Sequence, residues 1–399
     1  MKFDPFDPAE PQNPYPYFRW MRENDPVYTI ESLGFALITR APDVEATLRN
    51  TTVFSNAGWM EMMFGDYLVV PEAKFLLSLD PPEHTRLRRL VSKAFTPRMV
   101  ADLHAEMERI VEAELDQLVS CDTPDLVSQF CNTVPMKVIA AMTGVDQERY
   151  EDFTRWGYDI IEAINVNVSG IPPAPEWVAQ VRQSIESLRN YCLELIERRR
   201  KDPTNDLIST LVHASDEGNR LNEWEVLSMI QATVLAGFET TGKLLGNLIH
   251  ALVTHPDQLA LLRSDPSLVA NTVREIIRWD SPALFLPRQV TETTEVAGKE
   301  LAAGSFVLVS YASANHDEAK FPDRPEEFDI TRDTNGLVSF GVGIHYCLGA
   351  ALAPKETEIA LSGLLRRCRS IEVDHDNLQR DSSFFLRGFK HMPAALTPA

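Results

Sequence analysis

Apolar positions recur at helical spacing through most of the middle of the chain. Leu103, Met107, Ile110, Val111, Leu115 and Leu118 share one face with acidic and amide side chains opposite, which predicts an amphipathic helix. A similar pattern over residues 177–200 ends in Arg198-Arg199-Arg200-Lys201, read as a solvated helix end favoured by the macrodipole. Residues 165–175 lie between these helices and hold Gly170, Pro172, Pro173 and Pro175, so they predict a loop. The segment Glu223–Thr254 is apolar on nearly every face, the mark of a buried central helix, yet its middle holds Gly237, Glu239, Thr240 and Thr241. β-like runs lie nearer the ends. Residues 26–30 and 35–39, divided by Gly34, predict a hairpin, and residues 305–311 predict a strand after a turn at 295–298. Prolines at 5, 8, 11, 14 and 16 predict an extended, non-helical arm over residues 1–16. No repeat or linker divides the chain. The expectation is one mainly α domain with small β-sheets.

Composition narrows the function classes. The chain has 399 residues, 44% of them hydrophobic and 24% charged, which excludes disorder and low complexity. With 38 basic and 58 acidic residues the formal net charge is −20, which argues against nucleic acid and anionic membrane surfaces as partners. No run of eighteen apolar residues occurs, so no membrane span is expected. The amino terminus shows neither a signal-peptide apolar stretch nor a basic leader. Cys121, Cys131, Cys192, Cys347 and Cys368 form no CxxC pair. A reduced, cytoplasmic protein is expected.

The strongest local signal is Phe340-Gly341-Val342-Gly343-Ile344-His345-Tyr346-Cys347-Leu348-Gly349. Glycines at 341, 343 and 349 force a tight loop ahead of a helical pattern. A cysteine there meets backbone N–H groups and the positive end of a helix dipole, and both favour thiolate. A lone cysteine is otherwise most simply a buried free thiol. The full pattern resembles the cytochrome P450 family, whose ligand loop runs Phe-x-x-Gly-x-His-x-Cys-x-Gly, and this chain matches every specified position. The resemblance implies that Cys347 is the axial thiolate on the iron of haem b (iron protoporphyrin IX), with Phe340, His345 and Gly349 also at the haem. Loop amides would hydrogen-bond the sulfur and moderate its donation.

Three further motifs stand in the family's order. In Ala236-Gly237-Phe238-Glu239-Thr240-Thr241, a threonine in a helix can back-bond to a carbonyl, and a lone buried glutamate needs a partner. The resemblance implies a groove in the central helix, where Ala236 and Gly237 leave room above the iron. There Thr240 would hydrogen-bond dioxygen and Glu239 would relay protons. Glu275 and Arg278, alone, would be an ordinary i,i+3 ion pair. The resemblance makes them a buried clamp with a third, basic partner just before a phenylalanine, a slot filled here by Glu327. Arg324 or Arg332 takes its place. His84 and Arg88 lie one helical turn apart and can face one anion; otherwise they belong to a solvated basic face. By resemblance they bind the haem propionates with Arg288 and His345. Pro354, where relatives often carry arginine, predicts a kinked helix after the cysteine.

Residues 59–64, with Trp59, Met62 and Met63, are soft and apolar, suited to varied ligands or equally to core packing. By resemblance they join residues 166–171, Leu235, Leu284, Phe285, Phe384 and Phe385 around a largely apolar pocket, with Glu61 as a polar anchor. The function implied is a monooxygenase, active as a monomer, acting on a terpenoid, steroid, macrolide or fatty acid. Its electrons would come from a ferredoxin and an NAD(P)H-dependent reductase. The alternatives are a peroxide-driven oxidase or decarboxylase and a non-catalytic haem sensor, neither of which needs the Glu239-Thr240 pair. Between residues 84 and 98, Arg86, Arg88, Arg89, Lys93 and Arg98 form a basic interruption in an acidic chain, suited to an acidic ferredoxin.

Overall fold

The computed structural model describes residues 2–5, 13–67, 69–169, 173–381, 383 and 385–399, apart from the side chains of 61, 62, 165, 168 and 169. The chain forms two compact units, one of residues 1–55, 111–134 and 240–399, the other of residues 56–110 and 135–239.

The first unit is built on a five-stranded sheet. The predicted hairpin forms, Val27–Ile30 antiparallel to Phe35–Ile38, and Gly34 turns it at φ +68°. Phe35–Ile38 runs parallel to Phe306–Val309, which pairs antiparallel with Leu286–Val290; Phe54–Ser55 closes the far edge. Alternation buries both faces. Ala36, Ile38, Val307 and Val309 pack with Val44, Leu48 and Phe54, while Tyr28, Leu37 and Leu308 pack with Phe18, Met21 and Phe285. A third cluster joins the helices Val269–Trp279 and Leu352–Arg367 to the carboxyl half of the long helix through Leu244, Leu248, Ile276 and Leu361.

Among its described residues, the second unit has only the two-residue strands Ser215–Asp216 and Asn219–Arg220 besides its helices and turns. Its helices include Glu83–Val91, Thr133–Thr143 from residue 135 on, Tyr150–Ser169, Pro175–Lys201 and the amino half of Glu223–Thr254. That last helix is continuous over all 32 residues, so the groove implied by the resemblance is not a break in it.

Four expectations change. The arm is not extended to residue 16, because helix Tyr15–Asn24 begins with Pro16 in its first turn, where a missing N–H costs nothing. The loop at 165–175 is shorter, since Tyr150–Ser169 continues to residue 169 and the next helix starts at Pro175; residues 170–172 lie outside those described. The basic helix end is not merely solvated. Arg198 forks onto Asp146 with two 2.8 Å bonds, and Arg199 pairs with Asp206 while donating to the Gly144 carbonyl at 3.0 Å. Pro354 is the third residue of Leu352–Arg367, inside the first turn, so it removes no intrahelical hydrogen bond.

Candidate functional site

In the first unit the cysteine loop is shaped by two left-handed glycines, Gly341 at φ +73° and Gly343 at φ +79°. A Cβ on Gly343 would also stand 3.3 Å from the Leu48 carbonyl oxygen, tighter than most real contacts. The loop closes on itself, with the Cys347 N–H donating to the Phe340 carbonyl at 2.9 Å and Gly341 N–H to Val338 at 2.7 Å. Phe340 anchors it by packing on the cluster of Leu244, Ile277 and Leu361. A short turn, Leu348–Ala350, follows the cysteine before the helix Leu352–Arg367.

Cys347 differs from its fellows. Cys131, Cys192 and Cys368 are buried, and burial pushes their thiols up, that of Cys192 to about 12. Cys347 is exposed, and Ile344 and Tyr346 beside it are two of the three exposed large apolar side chains among the described residues. A thiol flanked by uncovered apolar groups fits a flat apolar group carrying a thiolate-seeking metal. Among the described residues no three His, Cys, Asp or Glu side chains gather as a metal site. A single thiolate suits a metal that brings its other ligands with it, as haem iron does.

The clamp is fully buried. Glu275 and Arg278 are both 0% exposed and form two parallel 2.8 Å bonds. The remaining Arg278 donors reach the carbonyls of Asn315 at 3.0 Å, Pro325 at 2.7 Å and Glu327 at 3.1 Å. The third partner is Arg332, whose buried Nε lies 3.3 Å from Glu275 Oε1 and whose other nitrogens hold the carbonyls of Asp323, Arg324 and Glu327. Arg324 instead stays exposed among Asp323, Glu327 and Asp329. Asn315 extends the clamp toward the cysteine loop. Its amide accepts from Val338 N–H at 2.8 Å and donates to Ser339 Oγ at 2.6 Å, and Ser339 donates to the Ile277 carbonyl at 2.6 Å. Sequence reasoning missed Asn315; its one available signal was a polar residue closing the apolar run after residue 306.

Arg288 is buried on the strand Leu286–Val290, and His345 is half-buried in the cysteine loop. Leu284 and Phe285 sit in the apolar cluster with Phe18 and Met21, and Phe385 packs against it. Phe384 lies outside the described residues.

In the second unit His84 is buried on Glu83–Val91 and Arg88 is half-buried one turn later. Burial, with the Arg88 charge adding, pushes the His84 imidazole down to about 4. Arg86 pairs with Glu225, and Lys93 with Asp216; Arg89, Lys93 and Arg98 are the exposed members of the basic run. Trp59 is buried and donates from Nε1 to the Leu77 carbonyl at 3.2 Å; Met63 and Leu235 are buried too. The side chains of Glu61 and Met62 lie outside the described set.

The long helix carries the sharpest local feature. Residues 226–235 and 241–249 are all buried, but Ala236 is exposed and Gly237, Glu239 and Thr240 are half-exposed. Burial resumes within one turn on either side. A Cβ on Gly237 would meet Ile139 Cδ1 at 2.6 Å, so the position is small for a packing reason as well.

The profile of the family described as Cytochrome P450 matches residues 8–390. The 6-deoxyerythronolide B hydroxylase of Saccharopolyspora erythraea is 37% identical over 397 residues, 96% of each chain. The vitamin D(3) 25-hydroxylase of Pseudonocardia autotrophica is 34% identical over 97% of this chain and 94% of its own. A solved cytochrome P450 from Chondromyces apiculatus, 36% identical, matches 100% of this chain and 99% of its own with a TM-score of 0.88. Resemblance first read from ten residues of one loop thus extends along nearly the whole sequence and into the fold, and the chain belongs to the cytochrome P450 family of haem-thiolate monooxygenases.

Proposed function

We propose that this cytochrome P450 inserts one oxygen atom of O2 into a C–H or C=C bond of a medium or large lipophilic molecule, working as a cytoplasmic monomer fed by a ferredoxin and its NAD(P)H-dependent reductase. Bound haem would supply the activation of dioxygen, and the Cys347 thiolate would hold its iron. The observation that carries the reading is the opening at Ala236, Gly237, Glu239 and Thr240 in a helix buried on both sides of it. An acid and an alcohol kept at such an opening can receive protons from solvent and hold them, which oxygen reduction requires. Glu239 takes up the proton on its carboxylate, and Thr240 Oγ1 holds and orients it. Arg288 and His345 serve as charge-assisted partners of the haem carboxylates. His84 and Arg88 would serve in the same way. Exposed Arg89 and Arg98 suit an acidic ferredoxin. Trp59, Met62, Met63, Leu235, Leu284, Phe285, Phe384 and Phe385 remain the proposed determinants of substrate fit. Relatives named as hydroxylases support hydroxylation as the outcome.

The test is Thr240→Ala in the holoenzyme reconstituted with ferredoxin and reductase. NADH consumption continues, hydrogen peroxide accumulates, and product per NADH falls on the order of tenfold or more. Unchanged coupling overturns the proton relay.

A further inference from the structure

In the first unit a single buried amide stands between the clamp and the entry of the cysteine loop. Asn315 is the C-terminal cap of the short helix Tyr311–Ala314 and is 0% exposed. Its backbone N–H donates to the Tyr311 carbonyl at 3.0 Å, and its own carbonyl accepts from Arg278 at 3.0 Å. The backbone is thus committed to the helix and the clamp, and the side chain serves the loop.

The two ends of that amide hold consecutive residues. Oδ1 accepts from the Val338 N–H at 2.8 Å, and Nδ2 donates to Ser339 Oγ at 2.6 Å. Ser339 gives its one hydroxyl proton to the Ile277 carbonyl at 2.6 Å, so toward residue 315 it can only accept. The Val338 N–H can only donate. The position therefore needs an acceptor and a donor side by side, which a short amide supplies. An ionised aspartate lacks the donor, and alanine lacks both.

The cysteine lies directly beyond these two residues in the bonding pattern. The Val338 carbonyl accepts from the Gly341 N–H at 2.7 Å, so with Asn315 on its N–H this residue is held at both of its peptide groups. Phe340 follows, with its ring on the cluster of Leu244, Ile277 and Leu361 and its carbonyl accepting from the Cys347 N–H at 2.9 Å. Residues 338 and 339 aim that carbonyl. Without the amide, the buried Val338 N–H has no acceptor, and its backbone must turn to find one. The Phe340 carbonyl turns with it, and Cys347 loses the bond that fixes its backbone.

We propose that Asn315 is a positioning residue for Cys347, fixing the backbone of residues 338 and 339 so that the thiolate is held where it would donate fully to haem iron. The inference rests on the reading of Cys347 as the haem ligand. It is tested on the full-length holoprotein by spectroelectrochemistry of the ferric–ferrous couple and by the carbon monoxide difference spectrum. A displaced thiolate donates less, so Asn315→Ala moves the reduction potential to more positive values and raises the unshifted Soret fraction several-fold. Ser339→Ala keeps the Val338 bond and shifts the potential the same way by less. It carries the test by itself if Asn315→Ala yields no holoprotein. The control is Leu37→Ala, a cavity in the separate cluster of Phe18 and Met21, which lowers the urea midpoint and leaves potential and spectrum unchanged. An unchanged potential and spectrum in these loop-entry variants, or an equal shift in Leu37→Ala, overturns this inference alone. A wild type without the red-shifted Soret band overturns the Cys347 reading beneath it.

Discussion

Replacing each basic candidate of the clamp in turn separates a buried partner from an exposed bystander. Glu275 has two guanidiniums to satisfy, Arg278 at 2.8 Å on both oxygens and Arg332 at 3.3 Å on one. Glu275→Gln strands both charges in a 0% exposed position, and losing one member of a buried ion pair costs about 3–5 kcal/mol. Arg332→Met is milder. Glu275 keeps Arg278 and the Asp329 N–H at 3.1 Å, and the Glu327 carbonyl keeps Arg278. The Asp323 and Arg324 carbonyls lie on exposed residues and can turn to water. The loss is then one charge-assisted hydrogen bond plus packing, about 2 kcal/mol. Arg324→Gln leaves stability unchanged within error, because Arg324 sits at the surface among three acids. Urea unfolding of the holoprotein, followed by far-UV circular dichroism at equal haem occupancy, gives the midpoints. Arg278 reaches Ser339 through Asn315, so Glu275→Gln also lowers the fraction of protein that retains haem. A midpoint for Arg324→Gln at or below that of Arg332→Met refutes the assignment of the third partner.

Two other measurements check the packing and electrostatics of the same unit. Glu356 is fully buried and burial pushes its carboxyl up from 4.5 to about 8, so the folded state binds the proton more tightly than the unfolded state does. Its contribution is most favourable below about pH 4.5 and is lost as pH rises to about 8, by up to roughly 5 kcal/mol; Glu356→Gln flattens that slope in urea midpoints taken at pH 6 and 8.5. Gly242 and Gly246 lie on the same helix with opposite surroundings. A Cβ on Gly242 meets the Cys131 carbonyl oxygen at 2.9 Å, whereas one on Gly246 meets nothing closer than Phe389 at 3.8 Å. Gly242→Ala therefore destabilises by about 1–3 kcal/mol, and Gly246→Ala stabilises by up to about 1 kcal/mol, by thermal unfolding.

The hairpin around Gly34 and the helix carrying Met107 and Leu115 were legible because their periodicity and turn chemistry are local. The cysteine loop was legible for the same reason, since Gly341 and Gly343 take conformations few other residues adopt. The choice between Arg324 and Arg332 was not, because a curl of backbone decides which arginine turns inward. Asn315 stayed hidden since its partners, Val338 and Ser339, are more than twenty residues away. Pro354 depended on where its helix begins, a boundary sequence patterns leave open by a residue or two. Phe285 reads alike in a core or a pocket, and only its packing with Phe18 and Met21 places it.

Cys347, exposed on its glycine-turned loop, is the residue we propose holds haem iron as a thiolate. Reducing the holoprotein, adding carbon monoxide and recording the difference spectrum tests it directly. Thiolate ligation gives a red-shifted Soret band, and Cys347→Ser loses it. A wild-type Soret band at the unshifted position of imidazole-ligated haem contradicts it.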